Sequence, residues 1–472
     1  MYDPKSLKAE EFINHAEVLE TLAWADKNKA NAPLISAILD KARERKGLSH
    51  REAAVLFDCA LPEKNEEIEA LAREIKLGLY GNRIVMFAPL YLSNYCVNGC
   101  VYCPYHQSNK TITRKKLTQD EIAREVMALQ DMGHKRLALE AGEDPKMNPL
   151  EYILESIGTI YSIKHQNGVI RRVNVNIAAT TAENYRKLRE AAIGTYILFQ
   201  ETYHRESYMK LHPTGPKRDY AWHTEAMDRA MEGGLDDVGL GVLFGLEGCR
   251  YEFAALLMHA EHLEAVHGVG PHTISVPRIR RADDVDPEAF QNGLDDNAFA
   301  KLVAVTRIAV PYTGLIVSTR ESQECREKVL ALGVSQISGG SRTSVGGYVE
   351  REPEEENSAQ FEVSDNRALD EVVGWLMRLG YIPSFCTACY REGRTGDRFM
   401  NLSKSGEIQN CCHPNALITL KEYLEDYAAP PTKNLGEALI AGELGKIPKE
   451  KIRTKVTSYI SRIHGGARDF RL

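Results

Sequence analysis

Three thiols stand close together in "SNYCVNGCVYCPY" (93–105): Cys96, Cys100 and Cys103, with three and then two residues between them. Thiolates are the usual protein ligands of iron–sulfur clusters. A four-iron cluster has four corners, so three thiols leave one open. Zinc is the competing chemistry; it wants four ligands, and His106 would complete a C-x3-C-x2-C-x2-H set. A second group lies near residue 400. Cys386 and Cys389 form C-x2-C, and 22 residues separate Cys389 from Cys412. A zinc ribbon with Cys411 or His413 as fourth ligand is one reading. The adjacent Cys411 and Cys412 do not easily both reach one small ion, which favours three thiolates around a larger cluster. Cys59, Cys249 and Cys325 stand alone and read as small buried apolar side chains.

Elements that would position these thiols are legible in the patterning. Residues 1 to about 80 read as helices, with apolar residues three and four apart, Asn31 as an N-cap, and Gly47 and Gly81 as stops. Then β-rich runs alternate with helical stretches. They cover 84–93, 136–142, 169–178, 195–203, 237–245, 272–279, 314–320 and 334–341. Eight strand–helix repeats imply parallel strands with right-handed crossovers. They can close as a (β/α)8 TIM-type barrel over 84–350, with active sites at the C-terminal ends of the strands. An open dinucleotide-binding sheet is disfavoured, because no G-x-G-x-x-G follows the first strand.

The expected organisation is a helical N-terminal segment (1–83), the barrel (84–350) and a helical C-terminal iron–sulfur extension (351–472). The extension opens on an acidic linker, "EREPEEENSAQ" (350–360). Next come a helix capped by Ser364 or Asp365 and ended by Gly380, one starting near Pro414, and two more. The 472 residues carry a formal charge of −7 and no Lys/Arg-rich block, so no nucleic-acid partner is expected. No apolar run is long enough for a bilayer, and "MYDPKSLKAEEF" lacks a signal-peptide core. The expectation is a cytoplasmic protein without a membrane partner, whose ten cysteines are not a disulfide framework.

C-x3-C-x2-C after the first barrel strand resembles the radical S-adenosylmethionine (SAM) superfamily. The resemblance implies a [4Fe–4S] cluster on Cys96, Cys100 and Cys103, with SAM on the open iron and Tyr102 on its adenine. It implies that Ala141, Gly142 and Glu143 ("AGE") bind the SAM amino group, and that Gly241 to Gly245 of "GVLFGLE" line the adenine. Gln200 and Glu201, ending the fourth strand, are placed to reach the ribose. C-x2-C-x22-C behind such a barrel resembles the HydG family, tyrosine lyases that mature [FeFe]-hydrogenase, and this likeness spans essentially the whole chain. It implies an auxiliary [4Fe–4S] cluster on Cys386, Cys389 and Cys412, with a fifth iron carried by a cysteine-type amino acid. L-tyrosine would give p-cresol and dehydroglycine, and the latter CO and cyanide for H-cluster assembly. An electron donor and a hydrogenase-maturation scaffold protein are implied partners. One alternative is a ThiH-like lyase that releases dehydroglycine for thiazole biosynthesis, with a structural or electron-relay second metal site. Another is a non-catalytic iron–sulfur carrier.

Three further residue roles follow from position. His272 opens the sixth strand, at the face opposite the SAM site, roughly 20 Å away along a seven-residue strand. Neutral imidazole suits iron(II), so His272 is the candidate ligand of the fifth iron, and a tunnel through the barrel is expected. "ISGGS" and "VNVNIA" would supply its small and polar lining. Arg320, closing the seventh strand, is placed to bind the substrate carboxylate with a guanidinium fork, with Ser338 or Ser341 assisting. Pairing with Glu321 or Glu324 is the competing role for Arg320.

Overall fold

The structure is a computed structural model describing residues 1–349 and 358–472. The boundary expected at 350/351 and most of the acidic linker lie outside the described residues. Eight parallel strands close a barrel: β1 (Arg83–Ser93), β2 (Arg136–Ala141), β3 (Arg172–Asn176), β4 (Tyr196–Glu201), β5 (Val238–Val242), β6 (Thr273–Ser275), β7 (Gly314–Val317) and β8 (Gln336–Ser338). Closure is the pairing of β1 with β8, Val85 opposite Gln336 and Phe87 opposite Ser338. This is the expected TIM-type barrel, with strands shorter than the β-rich runs at several ends.

A ninth strand was not anticipated. β9 (Ile382–Ser384) runs parallel to the first residues of β1, Arg83 facing Ile382 and Val85 facing Ser384. The C-terminal extension is thereby stitched under the barrel, at the faces where the strands begin. Three residues with a central proline carry no readable alternation, and proline is tolerated because β9 is an edge.

Helix boundaries follow local chemistry, with corrections. The first helix is two, Ala9–Phe12 and His15–Asn28, the second capped by Asn14. Asn31 does cap Ala32–Ala42, but that helix ends before Gly47. Pro62–Tyr80 stops on Gly81, whose positive φ turns the chain into β1. Neither Ser364 nor Asp365 caps the first C-terminal helix. It runs Leu369–Arg378, its entry tied by Glu371 accepting from the Ala368 N–H, while Asp365 pairs with Arg326 and Arg367. The next long helix starts at Gln409, five residues before Pro414, and so carries Cys411 and Cys412 in its first turn. No helix among the described residues is long and apolar enough to cross a membrane.

The N-terminal helices pack on the barrel helices Cys249–His267 and Asp296–Ala309, joined to one continuous core. Apolar burial at about 25 cal/mol per Å² makes this shell a rigid jacket on one side of the barrel. The described site residues lie instead in the lumen and at its two ends.

Candidate active site

At the strand C-terminal ends, Cys96, Cys100, Tyr102, Cys103, Ala141, Gly142, Glu143, Glu201, Lys217 and Arg320 line one cavity of about 150 Å³. The cysteine loop is held by neighbouring backbone: Val97 N–H donates to Glu143 O (2.8 Å), Gly99 to Thr214 O (3.0 Å) and Val101 to Leu211 O (3.1 Å). Gly142 is required by closeness, since a Cβ there would strike the Tyr95 carbonyl. Tyr102 presents its ring to the cavity and anchors its hydroxyl on His212 Nε2 at 2.6 Å.

Glu201 and Gln200 part company because of a bulge. The β4–β5 register shifts between Phe199 and Glu201, and Glu201 has a positive φ. A bulge re-aims a side chain; here Glu201 enters the cavity and pairs with Lys217 at 2.9 Å. Gln200 instead donates to Thr224 Oγ1 (2.9 Å) and does not line the cavity, which corrects the expectation that it reaches a ribose there. Gly241 and Gly245 act one step removed. A Cβ on the first would meet the Phe199 ring and on the second Ile279, and it is Phe199 and Ile279 that line the cavity.

Lys217 and Asn98 were missed by the sequence reading. Asn98 donates to Glu143 (2.6 Å) and accepts from the Lys217 N–H (3.0 Å), so it ties the "AGE" strand end to the loop carrying Lys217. Lys217 is the one lysine lining the cavity, and Glu201 and the neighbouring thiols raise its pKa against the cost of burial. The only signal was the compact "HPTGPK" turn, which has no period and no motif of its own.

Arg320 faces the point where this cavity meets a deeper one of about 90 Å³. Its guanidinium lies 3.6 Å over the Phe361 ring and has no ion-pair partner among the described residues. The competing pairing is absent: Glu321 is taken by Arg278 and Arg280. The deeper cavity is lined by Phe87, Pro89, Ile197, Ile316, Ser275 and Ser338 among others. Ser338 is therefore in place. Ser341 is not; it is buried, its hydroxyl is unpartnered, and it lines neither cavity. Glu140 sits at the same junction, beside Arg320 and hydrogen-bonded to Asn176, and burial pushes its carboxyl well above the ordinary range.

Beneath the strand starts lies a third cavity, lined by Cys386, Cys389, Cys412, His272, Arg83 and Arg136 among others. The expected convergence of His272 with the second cysteine group is thus present. His272 Nδ1 lies 3.2 Å from Asp237, and its Nε2 contacts the Tyr390 hydroxyl at 2.7 Å. Although Asp237 is within reach, the angle is poor for a hydrogen bond. A carboxylate behind one ring nitrogen is the usual support of a metal-binding histidine, and here the other nitrogen, Nε2, is held by the Tyr390 hydroxyl. Cys411 does not line this cavity; Arg394 lies 3.8 Å from its sulfur.

The tunnel expectation is half met. The deeper cavity and the lower one share no lining residue. On β8, Ser338 lines the upper and Gln336 the lower, two residues and therefore about 7 Å apart. The Gln336 amide packs against Gly314, and both line the lower cavity. Of the two stretches expected to line it, Asn176 and Ser338 do, whereas Gly339 and Gly340 pack toward the helix Leu369–Arg378.

The spacing of both cysteine sets argues against one tetrahedral zinc ion. A tetrahedral zinc with Zn–S near 2.3 Å would bring its sulfurs to about 3.8 Å. Among the described residues, the only three potential ligands with atoms all within 4.8 Å are Asp296, Glu321 and Cys325, and Arg278 already binds them. Neither triad is so tight. His106 is no fourth ligand either: it pairs with Asp284 (3.2 Å) and Ser108 (2.8 Å).

Residues 90–252 match the radical SAM superfamily and residues 275–382 the Biotin and Thiamin Synthesis associated domain. The chain is 30% identical over 364 residues to the 2-iminoacetate synthase of Salmonella typhimurium, across 77% of this chain and 93% of that protein. It is similar to a crystal structure of HydG, a maturase of the [FeFe]-hydrogenase, with TM-score 0.94 and 54% identity over 98% of this chain and 100% of that one. The HydG of Carboxydothermus hydrogenoformans gives TM-score 0.83 and 38% identity over 96% and 99%.

Proposed function

The chain belongs to the HydG family of radical SAM lyases, and on that premise we propose that it cleaves L-tyrosine to p-cresol and dehydroglycine at the upper cavity and converts dehydroglycine to CO and cyanide at the lower one. The observation that carries this reading is the placement of two cysteine triads at opposite ends of one barrel lumen, each opening on a cavity.

Cys96, Cys100 and Cys103 would hold the SAM-binding [4Fe–4S] cluster, and Cys386, Cys389 and Cys412 an auxiliary one with His272 on its fifth iron. When bound, the first cluster with SAM supplies the 5′-deoxyadenosyl radical that takes hydrogen from the substrate amine, and the second, with a cysteine-type amino acid, the iron on which the products are assembled.

The chain's own groups do the rest. Glu143, fixed by Asn98, accepts from the SAM ammonium, and Tyr102, Phe199 and Ile279 wall its adenine. Arg320, without an ion-pair partner among the described residues, takes the tyrosine carboxylate, with the Ser338 hydroxyl in the deeper cavity below it. That cavity's prolines, isoleucines and Phe87 suit an aromatic ring and exclude water from it. With the carboxylate on Arg320, the amine points toward the upper cavity and the ring toward the lumen. Glu140, whose carboxyl burial pushes well above the ordinary range, lies beside that carboxylate. An external electron donor and a hydrogenase-maturation scaffold protein complete the proposed cycle.

Anaerobically reconstituted protein with tyrosine, SAM and dithionite tests this. The expected products are p-cresol and, in the same vessel, CO trapped by deoxymyoglobin. Absence of p-cresol removes the lyase; p-cresol without CO removes the second step.

A further inference from the structure

Three adjacent strands begin with arginine at the lower end of the barrel: Arg83 on β1, Arg136 on β2 and Arg172 on β3. Arg136 and Arg172 are direct cross-strand partners. Like charges so placed are destabilising in a sheet, and here both are buried. Burial pulls both guanidinium pKa values down, Arg172 to about 9. A buried cation is tolerated only when paired or well hydrogen-bonded, so the partners of these three are informative.

Arg172 is mostly satisfied. Its Nε donates to Asn174 (2.8 Å), its Nη2 to Thr195 (2.9 Å), and its face is covered by Tyr390. Arg136 gives one bond, from Nη2 to the Cys386 carbonyl at 2.8 Å, and its Nε has no partner. Arg83 makes no hydrogen bond or ion pair from its guanidinium among the described residues, and its Nε is likewise orphaned. Both Arg83 and Arg136 line the lower cavity, where no aspartate or glutamate does. Asp237, an acid whose charge acts on Arg172, lies 3.2 Å from His272 Nδ1. Three thiolates and Asp237 would offset the three guanidiniums, but a cluster core brings positive charge of its own. Among the described residues, Arg83 and Arg136 are left with guanidinium donors that no side chain or carbonyl accepts.

We propose that Arg83 and Arg136 form a carboxylate seat in the lower cavity, which receives the two-carbon imino acid made in the upper one. The inference rests on the two-step reading above. A guanidinium pair beside Cys386 and His272 would hold the acid end of the fragment and leave its imine carbon toward the iron-binding residues.

The probe is glyoxylate, the stable two-carbon acid that hydrolysis of the imine gives. Holoenzyme, Arg136→Gln, Arg136→Lys and Arg83→Gln are titrated with glyoxylate, and separately with L-cysteine, by calorimetry and by the EPR signal of the auxiliary cluster. In parallel, CO and released glyoxylate are each divided by p-cresol, which normalises for folded, loaded first sites. Expected are about tenfold or greater weakening of glyoxylate binding in both glutamine variants, partial recovery in Arg136→Lys, and a shift of the two-carbon fragment from CO to free glyoxylate. Unchanged glyoxylate affinity in both glutamine variants, or a loss confined to L-cysteine, overturns the seat. If wild-type protein makes p-cresol but no CO, it is the two-step reading that fails. If it makes CO and glyoxylate affinity ignores the arginines, only the seat fails.

Discussion

Cys96, Cys100 and Cys103 come from one loop of eight residues at the ends of the strands, whereas Cys386, Cys389 and Cys412 are brought from a loop and a helix to the strand starts. Their surroundings differ in charge. In the upper set, burial raises all three thiols, Cys100 to about 12, and the one nearby ammonium, Lys217, is bound to Glu201. In the lower set, Arg83, Arg136 and Arg394 face the sulfurs. Cys389 is held down to about 6, chiefly by the neighbouring Cys412 thiol, while Cys412 itself is raised and burial raises Cys386. The upper cavity sets three carboxyls, Glu140, Glu143 and Glu201, against Lys217, Arg280 and Arg320, whereas the lower is lined by Arg83 and Arg136 with no aspartate or glutamate among the described residues. One barrel therefore offers two chemical environments because its two rims are built by different parts of the chain.

The comparison breaks most visibly at the upper cysteines. Cys100→Ala should lower p-cresol by at least about a thousandfold, since an interdependent catalytic unit is lost, and leave the lower cluster's EPR signal in place. If both signals vanish together, the two sites do not fold independently. The double change Cys386→Ala/Cys389→Ala should cut CO about a hundredfold or more while p-cresol stays within about twofold, as distant sites act independently. Full CO yield would move the second step elsewhere.

Smaller effects sharpen the roles within each rim. Arg320→Ala should raise the tyrosine KM about 30- to 150-fold, the worth of a charged hydrogen-bonded pair of about 2–3 kcal/mol. An unchanged KM would free Arg320 from the carboxylate. His272→Ala should lower bound iron by about one atom per chain, measured by plasma emission, with the upper cluster intact. The mildest test uses metal-free protein and iodoacetamide, with peptide mapping against pH. Only the thiolate reacts. A thiol lowered to about 6 is ionised above that pH and protonates only as pH falls through it; one raised to about 12 is still largely protonated at pH 9. Cys389 labelling should therefore plateau by about pH 7, while Cys100 labelling is still rising at pH 9. Parallel profiles would erase the contrast between the rims.

Much of this was readable in advance where the signal is local. The eight strands and the loop of Cys96–Cys103 follow from period and spacing, and His272 was placed by counting along one strand. Failures fall where a neighbour decides. Gln200 and Glu201 part at a bulge against β5, only Glu201 lining the cavity, which single-strand alternation cannot show. Three-residue β9 exists only because β1 offers an edge. Lys217 and Asn98 meet across a loop pairing of 119 residues' separation. The helix starts at Gln409 without a side-chain cap and runs through Pro414, so no local start signal marks it.

The sequence by itself determined the barrel, the two thiol triads and the family they resemble, because hydrophobic period and ligand spacing are short-range properties of the chain. Only the tertiary structure decided which side chains the triads face. Arg83, Arg136 and His272 come from β1, β2 and the start of β6, and they share one cavity because eight strands close in register and β9 carries Cys386 beneath them. Charge and burial belong to that convergence: a guanidinium acquires a function when its neighbours leave it without a partner.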